Sequence, residues 1–352
     1  MMELSPPRSL LALLLFCSAT VTAAAAASSI IESHVLTDVD PMAVCIDGSP
    51  AVVFANASTP AAKDNWVIQI GAGNGGAGLF CWMDPSGKPT GQMWDCSWHA
   101  KPKNPTPKPP AAVQLGAAGP QDTNCTRNPD WCQANFAQIT TCDFSMLLGD
   151  AVRTVNGTTM HFRGRAILTA SLKKLGTLGL SSAKSVVLTG ETHAGTAALL
   201  SADFIGGLLK AIAPGLSKFK VLPADGAHPR FSSMFNMTMP GMTQLWFDPA
   251  LANMAALANV TGALSPECLA THPGNESYQC MYFSEAAPHV KTPLFAVQSM
   301  PGVSSERDSI LNMHWPLFPA LCLDYIVCCA QTADLQTHCY MATMYLLSTG
   351  GV

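Results

Sequence analysis

The stretch from Ser185 to Ala198, Ser-Val-Val-Leu-Thr-Gly-Glu-Thr-His-Ala-Gly-Thr-Ala-Ala, constrains the fold more than any other. Ser185 to Gly190 is a short apolar, β-branched run, the pattern of a strand buried on both faces. Ala194 to Leu209 reads as an apolar helix. Only Glu191, Thr192 and His193 separate the two. A strand that becomes a helix within so few residues must bend sharply and belongs to an α/β unit. The alternation recurs along the chain. Trp66 to Ile70, Phe136 to Thr141, Phe219 to Leu222 and Pro293 to Gln298 read as strands. Arg163 to Leu175 has helical spacing, with Ile167, Leu168, Leu172 and Leu175 on one side. The expected architecture is α/β, a mainly parallel sheet covered by helices on both faces.

The amino terminus sets the expected compartment. Arg8 is the only basic residue among the first 27; an apolar run follows from Leu10 to Phe16, then small residues from Ala23 to Ala27. This predicts a secretory signal peptide over residues 1–27, the apolar part being short of the roughly 20 residues a membrane span needs. No later window is expected to span: Ile205 to Leu216 is interrupted by Gly206, Gly207, Lys210 and Pro214. Residues 28–352 then form a single domain, with a Pro-rich insertion near 97–131 that includes the extended run Lys101 to Pro110.

Of 13 cysteines, Cys17 leaves with the leader, and twelve remain at 45, 81, 96, 125, 132, 142, 268, 280, 322, 328, 329 and 339. An even number in an oxidising compartment predicts up to six disulfides, with connectivity left open. No Cys-x-x-Cys pair meets a second such pair or a His-x-x-x-His, so no metal site is expected. Asn56, Asn156, Asn236, Asn259 and Asn275 head glycosylation tripeptides and are expected on the surface; Asn124 has Cys125 in the middle of its own. With 12% charged residues and a formal net charge of −4, the chain is neither a solvated disordered polymer nor a basic nucleic-acid binder. Oligomeric state is not legible.

In α/β-hydrolases the strand-to-helix bend carries Gly-x-Ser-x-Gly and projects a nucleophile beside an oxyanion hole. Gly190-Glu191-Thr192-His193-Ala194 has that shape, with Thr192 where the serine belongs. Upstream, the Gly-rich stretch after Ile70 falls where the second oxyanion donor is placed.

Taken in order, several segments resemble the plant pectin acetylesterases and their animal relative Notum. They are Cys45-Ile46-Asp47-Gly48-Ser49-Pro50, Asn65-Trp66-Val67-Ile68-Gln69-Ile70-Gly71 before Cys81, and Cys142-Asp143 with Gly149-Asp150 (the family's Cys-Asp-Gly…Gly-Asp). His161-Phe162-Arg163-Gly164, the elbow from Gly190 to Asp203, and Thr292-Pro293-Leu294-Phe295 complete the series. The resemblance implies a secreted α/β-hydrolase that removes O-acetyl groups from pectin, or a fatty acyl group in Notum, by a Ser-His-Asp triad without a cofactor. Carried over, it puts Thr192 at the nucleophile, His338 (before Cys339) at the base, Asp308 at its orienter, and Gly71, Gly73 and the amide of His193 at the oxyanion hole. An ungapped register lands near Gly302 rather than Asp308. Another puts Tyr325 or Val327 at the histidine position, and His314 is a third option. Two outcomes are open: an ester hydrolase acting on an acetylated polysaccharide or other acyl ester, or a catalytically silent glycan- or protein-binding module on the same frame.

Overall fold

A computed structural model describes residues 30–57, 64–72, 100, 108–115, 119–155, 157–224, 244–300, 325–331 and 337–343, of which 72, 244–250, 298–300 and the last two segments are backbone alone. The first strands are β1 (Ile30–Val35), β2 (Val52–Ala55), β3 (Asn65–Ala72), β4 (Ala112–Gln114) and β5 (Asn135–Thr141). A hairpin follows, β6 (Ala151–Val155) and β7 (Thr158–Phe162), then helix α1 (Gly164–Thr177), β8 (Ser185–Glu191), helix α2 (His193–Ile212) and β9 (Lys218–Ala224). Helices α3 (Gln244–Ala258), α4 (Pro266–Thr271) and α5 (Phe283–Ala286) precede β10 (Ala296–Met300), β11 (Tyr325–Gln331) and β12 (Thr337–Thr343). The main sheet has ten strands in the order β11-β12-β10-β9-β8-β3-β5-β2-β1-β4. Its centre, β10-β9-β8-β3-β5, is parallel, and antiparallel strands flank it on both sides.

From β5 to β8, β8 to β9 and β9 to β10 the chain steps the same way across the sheet, and α1, α2 and α3 share one core against it. The β3-to-β5 step runs the other way, and Val113, Leu115 and Trp131 from this connection pack in a second cluster. The core divides accordingly. Val53, Ala55, Trp66, Ile68, Ile70, Ala137 and Ile139 point into the helical side with Leu168, Leu172 and Ile205. Their strand neighbours Val52, Phe54, Val67 and Phe136 pack under Leu115, Ala134 and Trp131 of the insertion. This period-two split is the signature of strands buried on both sides. The insertion is therefore not wholly an exposed loop. It adds β4 at the sheet edge, paired to β1, while 101–107 lie outside the described residues.

The expected helix over 163–175 is α1, with Ile167, Leu168, Leu172 and Leu175 fully buried. No side chain of its own first turn caps it. Gly164 instead donates its amide to the carboxyl of the distant Asp143. A Cβ at Gly164 would stand 2.4 Å from the backbone of Leu147, so glycine is what allows the loop after β5 to close over the helix start. The hairpin β6–β7 is not evident from period alone, because Val152, Arg153 and Thr154 are all exposed and give no buried face.

By length and composition α2 is apolar enough to cross a membrane. In this fold its Ala197, Ala198, Ala202, Ile205 and Leu209 are buried in the main core, so the apolarity serves helix–sheet packing.

Three disulfides join described residues: Cys45–Cys142, Cys125–Cys132 and Cys268–Cys280. Cys268, His272 and Cys280 form a group with metal-ligand donors, but its two sulfurs are joined in a disulfide, leaving no thiolate to bind a metal. Cys81, Cys96 and Cys322 lie outside the described residues, as do the leader and Asn156 and Asn236. Asn259 and Asn275 are exposed and Asn56 is half-buried.

Candidate active site

The parallel strands end at one edge of the sheet, where α/β folds place their ligands. Thr192 stands there, between the end of β8 and the first residue of α2, with φ 55° and ψ −126°. A β-branched residue at positive φ is a backbone outlier, a conformation costing about 1–3 kcal/mol. Three contacts enforce it. The Thr192 amide donates to the Ala224 carbonyl at the end of β9, at 2.8 Å. The Thr192 carbonyl accepts from the amides of Gly195 and Thr196, which starts α2. Gly190 has the Ala194 carbonyl so close that a Cβ would lie 2.3 Å from its oxygen. Thr192 is exposed, and its side chain makes no capping bond to α2. His193 opens the helix, its amide at the positive end of the helix dipole.

Next to β8, strand β3 ends at Gly71 and Ala72. Gly71 packs against Gln138 of β5, whose amide nitrogen would lie 2.3 Å from any Cβ at position 71. Its carbonyl accepts from the Thr141 hydroxyl at 2.9 Å. The preceding Thr140 hydroxyl donates the other way, to the Val52 carbonyl on β2, at 2.8 Å. These two buried threonines fasten the end of β5 to both neighbours.

Beyond them Asp143 is wholly buried. Burial pushes its carboxyl up to about 6, against the pull of hydrogen bonds from Ser145, Gly164 and its own amide. The Ser145 hydroxyl donates to Asp143 and accepts from the Gly149 amide. Phe144, Met146 and Leu147 in this loop all have left-handed φ, 57°, 55° and 61°. Phe144 stands where the pectin acetylesterase pattern has glycine. Thr140, Thr141 and Ser145 were not singled out from sequence; small polar residues inside an apolar run were the available signal.

Of the other expected site residues, Gly73, Asp308 and His314 lie outside the described residues. His338 sits near the start of β12, opposite Ala330 and next to Cys339, which pairs with Met300. Because β12 runs antiparallel to β10, this end lies at the elbow's edge of the sheet. Three strand spacings separate β8 from β12, about 14 Å. Among the described residues, no hydrogen bond links an imidazole to the Thr192 hydroxyl. A groove of about 340 Å³, lined in part by Asn65, Asp130, Cys132 and Ala134, opens at the opposite, amino-terminal edge and is not part of this site.

A strained residue between a buried parallel strand and a helix has the form of the nucleophile elbow of the α/β-hydrolases. Within that class the chain belongs to the pectinacetylesterase family, whose model matches residues 24–303. Pectin acetylesterase 5 of Arabidopsis thaliana is 26% identical over 185 residues, covering 52% of this chain and 40% of its own length. Palmitoleoyl-protein carboxylesterase notum2 of Xenopus laevis is 24% identical over 176 residues, covering 49% of this chain and 34% of its own length. The chain thus spans less than two thirds of either relative. Among solved structures, the Wnt deacylase Notum from Drosophila matches with a TM-score of 0.53 and 21% identity over 76% of this chain and 69% of that one, a likeness of fold.

Proposed function

We propose that the chain is a secreted pectin acetylesterase-like hydrolase that removes O-acetyl groups from an acetylated cell-wall or surface polysaccharide, with Thr192 in the serine's place. The observation that carries this reading is the Thr192 backbone: the chain retains an elbow conformation that threonine adopts at a cost. In this reading the Thr192 hydroxyl attacks the ester carbonyl while His338, oriented by Asp308, takes its proton. The tetrahedral oxyanion is held by backbone amides, that of His193 among them, with Gly71 and Gly73 shaping the facing loop. The sugar alcohol leaves with the proton returned by His338. Water then releases acetate from Thr192 by the same steps, with no cofactor. The leader-like amino terminus, the disulfides and the exposed Asn259 and Asn275 support secretion and glycosylation.

A second reading is a silent binding module. It is favoured by the secondary, hindered hydroxyl of Thr192, since threonine nucleophiles rely on a free N-terminal amine that an internal residue lacks. Acetate release from acetylated pectin decides between them. Turnover by the wild type that falls by three orders of magnitude or more in Thr192→Ala supports the esterase. Equal rates in the two proteins exclude Thr192 as nucleophile. Glycan binding without turnover establishes the module, and a large rate gain in Thr192→Ser would then show that only the nucleophile was lost.

A further inference from the structure

We propose that Thr141 is a positioning residue that aims the Ala72 amide at the elbow as an oxyanion donor; the inference rests on the hydrolase reading of the Thr192 site. Strand β3 lies between β5 and β8. The Gly71 carbonyl points toward β5, where the fully buried Thr141 hydroxyl donates to it at 2.9 Å. A trans peptide is planar, so the Ala72 N–H points opposite to the Gly71 carbonyl. It therefore faces β8. The β3–β8 register pairs Ile70 with Gly190. Ala72 is the last residue of β3, two beyond that pair, and Thr192 is likewise two beyond it, the first residue past the end of β8.

The amide aimed at the elbow is accordingly that of Ala72, and Gly71 serves as its pivot. Glycine at 71 lets the strand lie against Gln138. It also leaves that peptide with little intrinsic preference for one orientation. The β3–β5 ladder, which pairs Ala72 with Thr141, holds this peptide at the last bridge of the strand, and the Thr141 hydroxyl adds a second bond to the same carbonyl. An oxyanion donor acts only if fixed before charge develops.

The test uses Thr141→Val, which keeps the shape and removes the donor, and Thr141→Ser, which restores a hydroxyl. Full-length protein is labelled with ¹⁵N-alanine, and the Ala72 amide is assigned by its loss in Ala72→Gly. Methylphosphonate, a tetrahedral anion resembling the acetyl-transfer intermediate, is titrated in. The expected result is a downfield shift of the Ala72 amide proton in the wild type and in Thr141→Ser, with about tenfold weaker binding in Thr141→Val. No Ala72 shift in the wild type, or equal affinity in Thr141→Val, overturns the inference.

Acetyl-ester turnover on the same proteins separates the two claims. A shift without turnover means that the hydrolase reading falls and the aimed amide stands. Turnover with kcat unchanged in Thr141→Val means the reverse. If both hold, Thr141→Val lowers kcat about tenfold or more with KM within twofold, and Thr141→Ser recovers it.

Discussion

The carbonyl oxygen of Ala194 occupies the space where Gly190 would carry a Cβ, at 2.3 Å. That contact is backbone against backbone and cannot be relieved by a rotamer change. Gly190→Ala should cost about 2–4 kcal/mol or prevent folding. Gly207, on the exposed side of helix α2 with nothing within 4 Å of a built Cβ, is the control. Gly207→Ala should stabilise by about 0.5–1 kcal/mol. Urea unfolding of the two variants checks both signs.

Asp143 predicts a pH dependence of stability. Its folded-state value, about 6, lies above the ordinary 3.8. The protonated carboxyl therefore favours the fold. Its contribution is fully present below 3.8 and is lost as pH rises through about 6. The loss is of order 2–3 kcal/mol. Denaturation midpoints of the wild type should fall across that window relative to Asp143→Asn, whose amide does not titrate. Parallel curves for the two proteins would sink the assignment.

The disulfides differ in the chain length they close. Cys45–Cys142 spans 97 residues and Cys125–Cys132 spans 7. On the chain-entropy estimate the first stabilises by about 4–5 kcal/mol and the second by about 2–3. The pair Cys45→Ala, Cys142→Ala should therefore be the more damaging, by differential scanning calorimetry of the otherwise oxidised protein. Cys45 and Cys142 also lie within the main core, and their removal leaves a void there.

Asp203 on α2 fastens the approach to β10. Its carboxylate accepts from the amides of Lys291 and Thr292 and from the Thr292 hydroxyl. Asp203→Ala should cost about 1–2 kcal/mol, with Asp203→Asn recovering part of it. Hydrogen exchange at residues 291–297 should rise selectively; uniform change across the protein would contradict a local anchor.

Much of the frame was legible because it is written in local periodicity. The runs at 66–70, 136–141, 185–190 and 219–222 are strands because β-branched and aromatic residues predominate there, with isolated polar positions such as Gln69, Gln138 and Lys220, and α1 follows from four apolar residues at helical spacing. The last central strand was less sharply placed. The expected run Pro293 to Gln298 forms β10 only from Ala296 to Met300, because Pro293 and Leu294 join the sheet through an isolated bridge to Val221. The β6–β7 hairpin escaped because its exposed residues carry no alternation.

What the sequence determined by itself was the α/β alternation, the family pattern, and the position of Thr192 between a strand and a helix. Those are properties of neighbouring residues. Tertiary structure decided that Cys45 meets Cys142, that Asp143 caps a helix more than 20 residues away, and that the Thr141 hydroxyl reaches Gly71. It also decided that Thr192 is held at positive φ. A threonine left to itself avoids that conformation. It adopts it here because the Ala224 carbonyl at the end of β9, the start of α2 and the bare Gly190 together leave the chain no other path.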